Sequence, residues 1–199
     1  MAENDYVFID RWRVRGSVQE VSDIIGDALS FARWWPAFVL GGEQVEEGDA
    51  KGVGTVYAWR LKGWLPYVVR FKTRVLESHP PHGYSVEAFG DLTGRGVWSF
   101  EQDGEWVDVT YDWRVSADRP LLRYGSFIAK PLLASNHRWA MLRGEESLKL
   151  ELERRRATTP EERSRIPAPP APVPSSPLAS LRAGLELLQK PTPQTSGAH

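Results

Sequence analysis

The chain has 199 residues, of which 41% are hydrophobic and 26% are charged, and its formal net charge is −1. A charge balance this close to neutrality argues against a protein that coats nucleic acid or anionic lipid through bulk charge, so we expect no nucleic-acid partner. The absence of cysteine excludes disulfides, cysteine-ligated zinc and thiol catalysis. The N-terminus shows no secretory signal and no stretch suits a membrane span, so we expect a cytoplasmic protein without an integral membrane segment.

The first predicted elements are a strand and two short helices. Apolar residues alternate with arginines over residues 6–15, which predicts a strand with one apolar face. Ser17 followed three residues later by Glu20 is a capping-box pattern, and the apolar residues after it predict a helix. A second short helix is predicted over residues 28–35, because Pro36 ends it.

Further strands follow, each marked by alternating apolar and polar residues. They are predicted over residues 55–62, 67–75, 84–88, 98–101 and 107–115. The breaks between them carry turn residues such as Lys62-Gly63 and Asp103-Gly104. Successive strands with short turns predict an antiparallel meander with one aromatic, apolar face and one charged face.

A long helix is predicted from Ser135 or Asn136 to about Arg155. Its inward stripe would consist of His137, Met141, Gly144, Leu148 and Leu152. The element order predicts an α+β fold in which a curved antiparallel sheet of six or seven strands wraps around this C-terminal helix. Because one helix cannot follow the whole curve of a twisted sheet, we expect a cavity between them.

The composition changes after residue 156, since nine of the 15 prolines lie in residues 157–199. Proline removes backbone donors and favours extended, solvated chain. We therefore predict one domain over residues 1–156 and a largely disordered tail over 157–199. Leucines at helical spacing predict a short amphipathic helix over 178–190, which is either transient or a docking motif for a membrane or a protein.

Three stretches of the chain carry distinctive patterns. A strand leads into paired short helices over residues 14–35, residues 90–100 contain G-x-L-x-G-x-G-x-W, and residues 136–148 read NH-x-x-x-M-x-x-G-x-x-x-L. In these stretches the chain resembles the helix-grip superfamily (SRPBCC), which includes START lipid-transfer domains, birch-pollen allergens and polyketide cyclase/dehydrase proteins. The resemblance covers about residues 6–153 and implies a helix-grip fold. It selects no single function, because proteins of this fold transfer lipids, bind hormones and cyclise polyketides.

The expected cavity wall is rich in inward-facing aromatic residues. Aromatic rings offer large apolar area with few rotamers, and they suit fused rings, polyenes or acyl chains. The expected ligand-binding residues are Trp12, Tyr57, Trp59, Phe71, Tyr84, Trp98, Phe100, Tyr111, Trp113, His137, Met141 and Gly144. Gly144 is included because it removes a side chain where a ligand could sit. Ordinary core packing is the alternative reading of all these residues.

Three residues are candidates for catalysis. His137 is the best general acid or base because its ordinary pKa lies near neutrality, and Tyr111 or Tyr84 could donate a hydrogen bond to a carbonyl or enolate. A histidine that caps the helix or is satisfied in the core is the alternative. Asp10 falls among apolar positions, so we expect it at a strand bend or paired with an arginine across the sheet.

The resemblance implies that cyclases of this group use an inward arginine together with tyrosines. Alternation instead leaves Arg95 and Arg143 as candidates at the cavity mouth. It places the other strand arginines on the solvent face, namely Arg60, Arg70, Arg74 and Arg114. We find no metal-binding or phosphate-binding motif, so we expect no metal and no cofactor.

The sequence therefore favours a protein that binds or transports a hydrophobic small molecule, such as a lipid, polyketide or aromatic compound. The first alternative is a polyketide cyclase or dehydratase that positions its substrate and assists by acid–base catalysis. The second is an interaction module recruited through the C-terminal tail by weak membrane or protein contact.

Overall fold

The computed structural model describes residues 5–117 and 126–189. The predicted amphipathic segment 178–190 lies within these ranges except for its last residue. Within them, no helix is both long and apolar enough to cross a lipid bilayer.

One antiparallel sheet of seven strands forms the body of the protein, in the order β1-β7-β6-β5-β4-β3-β2. The strands are β1 (Asp5–Arg15), β2 (Val39–Glu46), β3 (Val56–Leu61), β4 (Val69–His79), β5 (Gly83–Gly90), β6 (Leu92–Asp103) and β7 (Trp106–Ala117). The chain runs as a meander from β2 to β7, and β1 pairs with β7. The two edges of the sheet are therefore β1 and β2.

The helices lie in two groups. Between β1 and β2 the chain forms α1 (Val18–Gly26), a 3₁₀ turn (Ala28–Ser30) and α2 (Phe31–Trp34); after β7 it forms α3 (Ser126–Arg156), α4 (Pro160–Arg165) and α5 (Pro177–Gln189). The predicted α+β helix-grip fold, with short helices after the first strand and a long C-terminal helix, is confirmed.

The capping box that begins α1 has both of its predicted hydrogen bonds. The Ser17 hydroxyl accepts from the Glu20 backbone N–H at 3.2 Å, and the Glu20 carboxylate accepts from the Ser17 backbone N–H at 2.8 Å. These bonds satisfy donors that the first helical turn leaves without an intrahelical partner. The buried Val21, Ile24 and Ile25 then face the core.

The sequence predicts that the long helix begins near Ser135 or Asn136. The helix α3 instead begins at Ser126. The predicted start of the helix was wrong. Pro131 is the sixth residue of the helix, past the first turn, where proline removes an intrahelical hydrogen bond and normally indicates a helix end. The inward stripe is confirmed, since Met141, Leu148 and Leu152 are buried in the hydrophobic core.

The edge strand β2 did not show the alternation that marks the other strands. It contains Gly41-Gly42 and ends in an acidic stretch, and its pairing with β3 has two register shifts. A Cβ on Gly42 would lie 2.5 Å from the ring of Trp59 on the neighbouring strand. The glycine is therefore required by close packing on Trp59, and it removes the side-chain pattern by which strands are recognised.

Part of the proline-rich segment contacts the domain. Ala183 of α5 is 7% exposed, and Val173 packs against the hydrophobic core. The Lys62 ammonium donates a hydrogen bond of 2.5 Å to the Val173 carbonyl oxygen. Proline content alone does not lead one to expect these contacts. The division of the chain at residue 156 stays a prediction.

Candidate ligand-binding cavity

A cavity of about 330 Å³ lies between the sheet and α3. Most of its wall is aromatic or aliphatic. Nine of the twelve residues expected from the sequence line it, namely Tyr57, Trp59, Phe71, Tyr84, Trp98, Tyr111, Trp113, His137 and Met141. The space that the sequence predicts between the curved sheet and the helix is therefore present.

Trp12, Phe100 and Gly144 do not line the cavity. A Cβ on Gly144 would lie 2.6 Å from the Trp35 ring and 2.8 Å from the Trp12 ring, so the protein's own indoles fill the space over this glycine. Phe100 is 1% exposed and packs edge-on against Tyr84. Alternation correctly places these residues inward, but it cannot distinguish the packed core from the cavity wall.

Other lining residues were missed by the sequence analysis. They come from β1, α2 and the turn after it, the β3–β4 loop and α3, and include Tyr6, Phe8, Phe31, Trp35, Phe38, Tyr67 and Leu133. Phe8 is in phase with the inward residues of its strand, so alternation could have identified it. The orientation of residues in short helices and loops depends on tertiary packing, which no local pattern reveals.

A stack of aromatic rings forms part of the wall. Trp98 and Tyr111 are stacked with centroids 4.0 Å apart, and Tyr111 and Trp113 are stacked at 5.6 Å. Phe71 continues the surface, with its centroid 6.0 Å from that of Trp113. Rings held by such neighbours have little rotamer freedom to lose, so they offer a preformed surface to a flat apolar ligand.

Several polar groups on the wall are already used within the protein. The Trp59 indole N–H donates to Thr73 Oγ1 at 2.8 Å, and Asn136 Oδ1 accepts from the Leu65 backbone N–H at 3.0 Å. The Tyr84 hydroxyl lies 2.8 Å from Ser22 Oγ on α1. Tyr84, a predicted hydrogen-bond donor to a carbonyl ligand, is thus engaged by the helix that covers it.

Four tyrosines of the wall, Tyr6, Tyr57, Tyr67 and Tyr111, have hydroxyls that make no hydrogen bond within the described residues, and Tyr57 and Tyr111 are the two that the sequence predicted. Burial raises the pKa of Tyr57, and the negative charge of Asp27 adds to this. Burial raises the pKa of Tyr111 well above 10, and Asp10 adds to it. Both hydroxyls therefore stay protonated near neutral pH and can donate to a ligand.

Asp10 and His137 form a pair beside the cavity. His137 Nε2 lies 2.7 Å from Asp10 Oδ2, and Phe8 stacks on the imidazole with centroids 4.0 Å apart. The expectation for Asp10 was wrong. It lies in the regular register of β1, opposite Tyr111 on β7, and its partner is a histidine that lies 127 residues away in sequence. His137 lies inside α3 rather than at its start.

In the described part of the chain, no arginine lines the cavity. Arg95 forms an ion pair of 2.7 Å with Glu77, and Arg143 forms one of 2.9 Å with Glu146, so neither candidate lies on the wall. Lys51 is on the wall but is exposed. Across residues 5–117 and 126–189, no group of three histidine or acidic side chains could hold a metal ion.

Comparison with known proteins agrees with this architecture. The family model described as "Polyketide cyclase / dehydrase and lipid transport" matches residues 11–153, which is more than half of the chain. Among curated proteins, none matches this chain. The residues after 153, including α4 and α5, lie outside the family match.

Solved structures share the fold at low sequence identity. The Zhui aromatase/cyclase from Streptomyces sp. R1128 is 16% identical, with a TM-score of 0.62 over 77% of this chain and 97% of that one. A START superfamily protein from Mycobacterium smegmatis is 13% identical, with a TM-score of 0.59 over 74% of this chain and 97% of that one. The di-domain ARO/CYC BexL from the BE-7585A biosynthetic pathway is 15% identical, with a TM-score of 0.60 over 74% of this chain, which spans 50% of BexL.

Proposed function

Because this chain belongs to the polyketide cyclase/dehydrase and lipid transport family, we propose that it binds a neutral hydrophobic small molecule in the cavity between the sheet and α3. The observation that carries this proposal is the cavity, with its volume of about 330 Å³ and its aromatic and aliphatic wall. Each Å² of apolar surface that a ligand buries there contributes roughly 25 cal/mol to the free energy of binding. Lipids, polyketides and aromatic compounds all have apolar surface that can be buried in this way.

The charges around the cavity favour a neutral ligand over an anion. The Asp10–His137 pair has a net charge of zero when the imidazole is protonated and −1 when it is neutral. With no arginine on the described wall, a carboxylate head would lose its hydration without gaining a buried counter-charge. A neutral ligand with a carbonyl or ether oxygen would instead accept hydrogen bonds from the hydroxyls of Tyr57 and Tyr111.

Two fluorescent probes with the same ring skeleton test this proposal. N-phenyl-1-naphthylamine is neutral, and 8-anilino-1-naphthalenesulfonate carries a sulfonate. We expect the neutral probe to bind at least about tenfold more tightly, as measured by fluorescence titration, because one uncompensated buried charge costs well over 1.4 kcal/mol. Equal affinity, or tighter binding of the sulfonate, would contradict the proposed preference.

A matched pair of variants locates the binding. Val69 lines the cavity from β4, whereas Lys72 on the same strand is exposed. Val69→Trp should weaken binding of the neutral probe by about tenfold or more by filling the cavity, and Lys72→Trp should leave it unchanged. If the protein does not enhance probe fluorescence, or if Val69→Trp binds as well as the parent, the cavity is not the binding site.

One observation favours a second function, acid–base catalysis on a bound carbonyl compound, as in a polyketide cyclase or dehydratase. A carboxylate that holds Nε2 of His137 orients the imidazole. The other ring nitrogen has no partner among the described residues and is left for proton transfer. The Tyr111 hydroxyl could donate to the carbonyl oxygen while a proton leaves the neighbouring carbon and moves to His137.

Deuterium exchange at the carbon between the carbonyls of an aromatic 1,3-diketone tests this second function. If the site is catalytic, His137→Gln and Tyr111→Phe should slow exchange by about 100-fold or more, while the affinity for the neutral probe changes by less than about threefold. Exchange in the parent no faster than in buffer would leave ligand binding as the function.

The cytoplasmic location stays a prediction.

A further inference from the structure

The loop between β3 and β4, residues 62–68, forms part of the cavity wall. Gly63, Tyr67 and Val68 line the cavity. On its inner side the loop is fixed by the 3.0 Å hydrogen bond from the Leu65 backbone N–H to Asn136 of α3. A ligand that leaves on this side must therefore displace the loop from α3.

The outer side of the same loop is covered by the C-terminal segment. Lys62 is 4% exposed and Trp64 is 9% exposed, although both belong to a loop near the surface. Lys62 Nζ donates to the Val173 carbonyl at 2.5 Å. A Cβ on Gly184 would lie 3.3 Å from the Trp64 ring, and the neighbouring Ala183 is 7% exposed.

These contacts make the loop and the segment depend on each other. Within the described residues, Lys62 has no carboxylate at ion-pair distance, and burial lowers the pKa of its ammonium group. The Val173 carbonyl is its hydrogen-bond acceptor there, so detaching the segment would return both groups to water. The indole of Trp64 would lose its apolar cover at the same time.

We propose that the segment over residues 171–184 is a strap that holds the β3–β4 loop against α3 and so slows the exchange of ligand with the cavity. This inference rests on the proposed function, since it concerns the same cavity. The strap lies outside residues 11–153, which match the family model.

Two substitutions on α5 in the full-length protein test the strap. Ala183→Glu places a charge on the buried face of α5, beside Gly184, which packs against Trp64 of the loop. Leu181→Glu adds the same charge to the same helix at a position that is 64% exposed, and it is the matched control. Lys62→Met keeps most of the side-chain volume and removes the hydrogen bond to Val173, which tests the contact from the loop side.

Stopped-flow release of N-phenyl-1-naphthylamine measures the effect on exchange. We expect release at least about tenfold faster in Ala183→Glu and in Lys62→Met, and within about twofold of the parent in Leu181→Glu. Release within about twofold of the parent in both test variants would overturn the proposal. A comparable acceleration in Leu181→Glu would also contradict it, because the effect would then come from charge on the helix.

Hydrogen exchange of the backbone amides in residues 61–68 gives a readout that needs no ligand. The strap predicts faster exchange there in Ala183→Glu and Lys62→Met and no change in Leu181→Glu. Unchanged exchange in both test variants would overturn the strap. If the parent protein fails to bind the probe, the proposed function is refuted. The hydrogen-exchange result still tests the strap, because it needs no ligand.

Discussion

At Gly144, two effects of an alanine substitution oppose each other. Alanine favours a helix interior over glycine by about 1 kcal/mol. The added methyl group, however, would lie within 2.8 Å of both the Trp35 and the Trp12 rings. These rings are confined by their own packing, with centroids 5.7 Å apart, and cannot retreat without moving the core.

We therefore expect Gly144→Ala to lower the free energy of unfolding by about 1–2 kcal/mol, because overpacking outweighs helix propensity. Urea denaturation monitored by circular dichroism measures the change. Lys149→Ala, on the exposed side of α3, is the control and should be nearly neutral. A more stable Gly144→Ala variant would mean that the space over this glycine is open, as the sequence first suggested.

Between elements, Glu151 joins α2 to α3. Its side chain is 2% exposed and accepts from Arg33 of α2 at 2.9 Å and from Arg155 at 3.0 Å. Burial by itself raises the pKa of Glu151, but the hydrogen bonds from the two arginines outweigh it and hold the pKa below its usual range. The carboxylate is therefore charged in the folded protein at neutral pH.

Glu151→Gln should lower the free energy of unfolding by about 2 kcal/mol, since hydrogen bonds to charged groups contribute about 1.5–3 kcal/mol. Arg33→Gln should cost less, because Arg33 is 57% exposed and Arg155 still pairs with the carboxylate. Chemical denaturation of both variants gives the comparison. The reverse order of stability would show that Arg33 contributes through its packing rather than through this ion pair.

The start of α1 and the end of α3 are joined by Glu20 and Arg156. The guanidinium donates to both carboxylate oxygens, at 2.7 and 2.9 Å, and lowers the pKa of Glu20 from 4.5 to about 2. A lowered pKa in the folded state means that the stabilisation is complete above pH 4.5 and is lost as the pH falls towards 2.

Glu20→Gln should therefore lower the melting temperature at neutral pH and have a smaller effect in acid. Differential scanning calorimetry from pH 7 to about pH 3 would show the melting temperatures of the parent and the variant converging as the pH falls. A constant difference between the parent and the variant across this range would indicate that the titration of Glu20 is not linked to folding. Gln19→Glu, on the exposed side of α1, controls for a charge change at the same helix end.

For the molecule as a whole, the sequence predicted the architecture well because most strands alternate strongly and α3 carries a long apolar stripe. It failed where local pattern and tertiary packing disagree. The glycines that let β2 pack on Trp59 remove the alternation of β2. Pro131, a residue type that usually ends a helix, lies within the first part of α3. The Asp10–His137 pair could not be foreseen because it joins the first strand to the last long helix.

The cavity itself was predictable in outline and not in detail. Alternation identified the inward aromatic residues, but the choice between cavity wall and packed core depends on neighbours distant in sequence. Trp12 is buried because Trp35 and Gly144 lie against it, whereas Trp98 faces the cavity beside Tyr111. The contacts of the strap could not be predicted from the sequence either, because they are made by one backbone carbonyl and by small side chains in a proline-rich segment.

The most direct test of ligand binding in the cavity uses Met141, one of two methionines in the chain and a residue of the cavity wall. Protein labelled with ¹³C at the methionine methyl groups would be studied by NMR with bound N-phenyl-1-naphthylamine. We expect nuclear Overhauser effects between the probe's aromatic protons and the Met141 methyl group. A bound probe that gives no such effect, and instead contacts the exposed leucines of α5, would contradict the account.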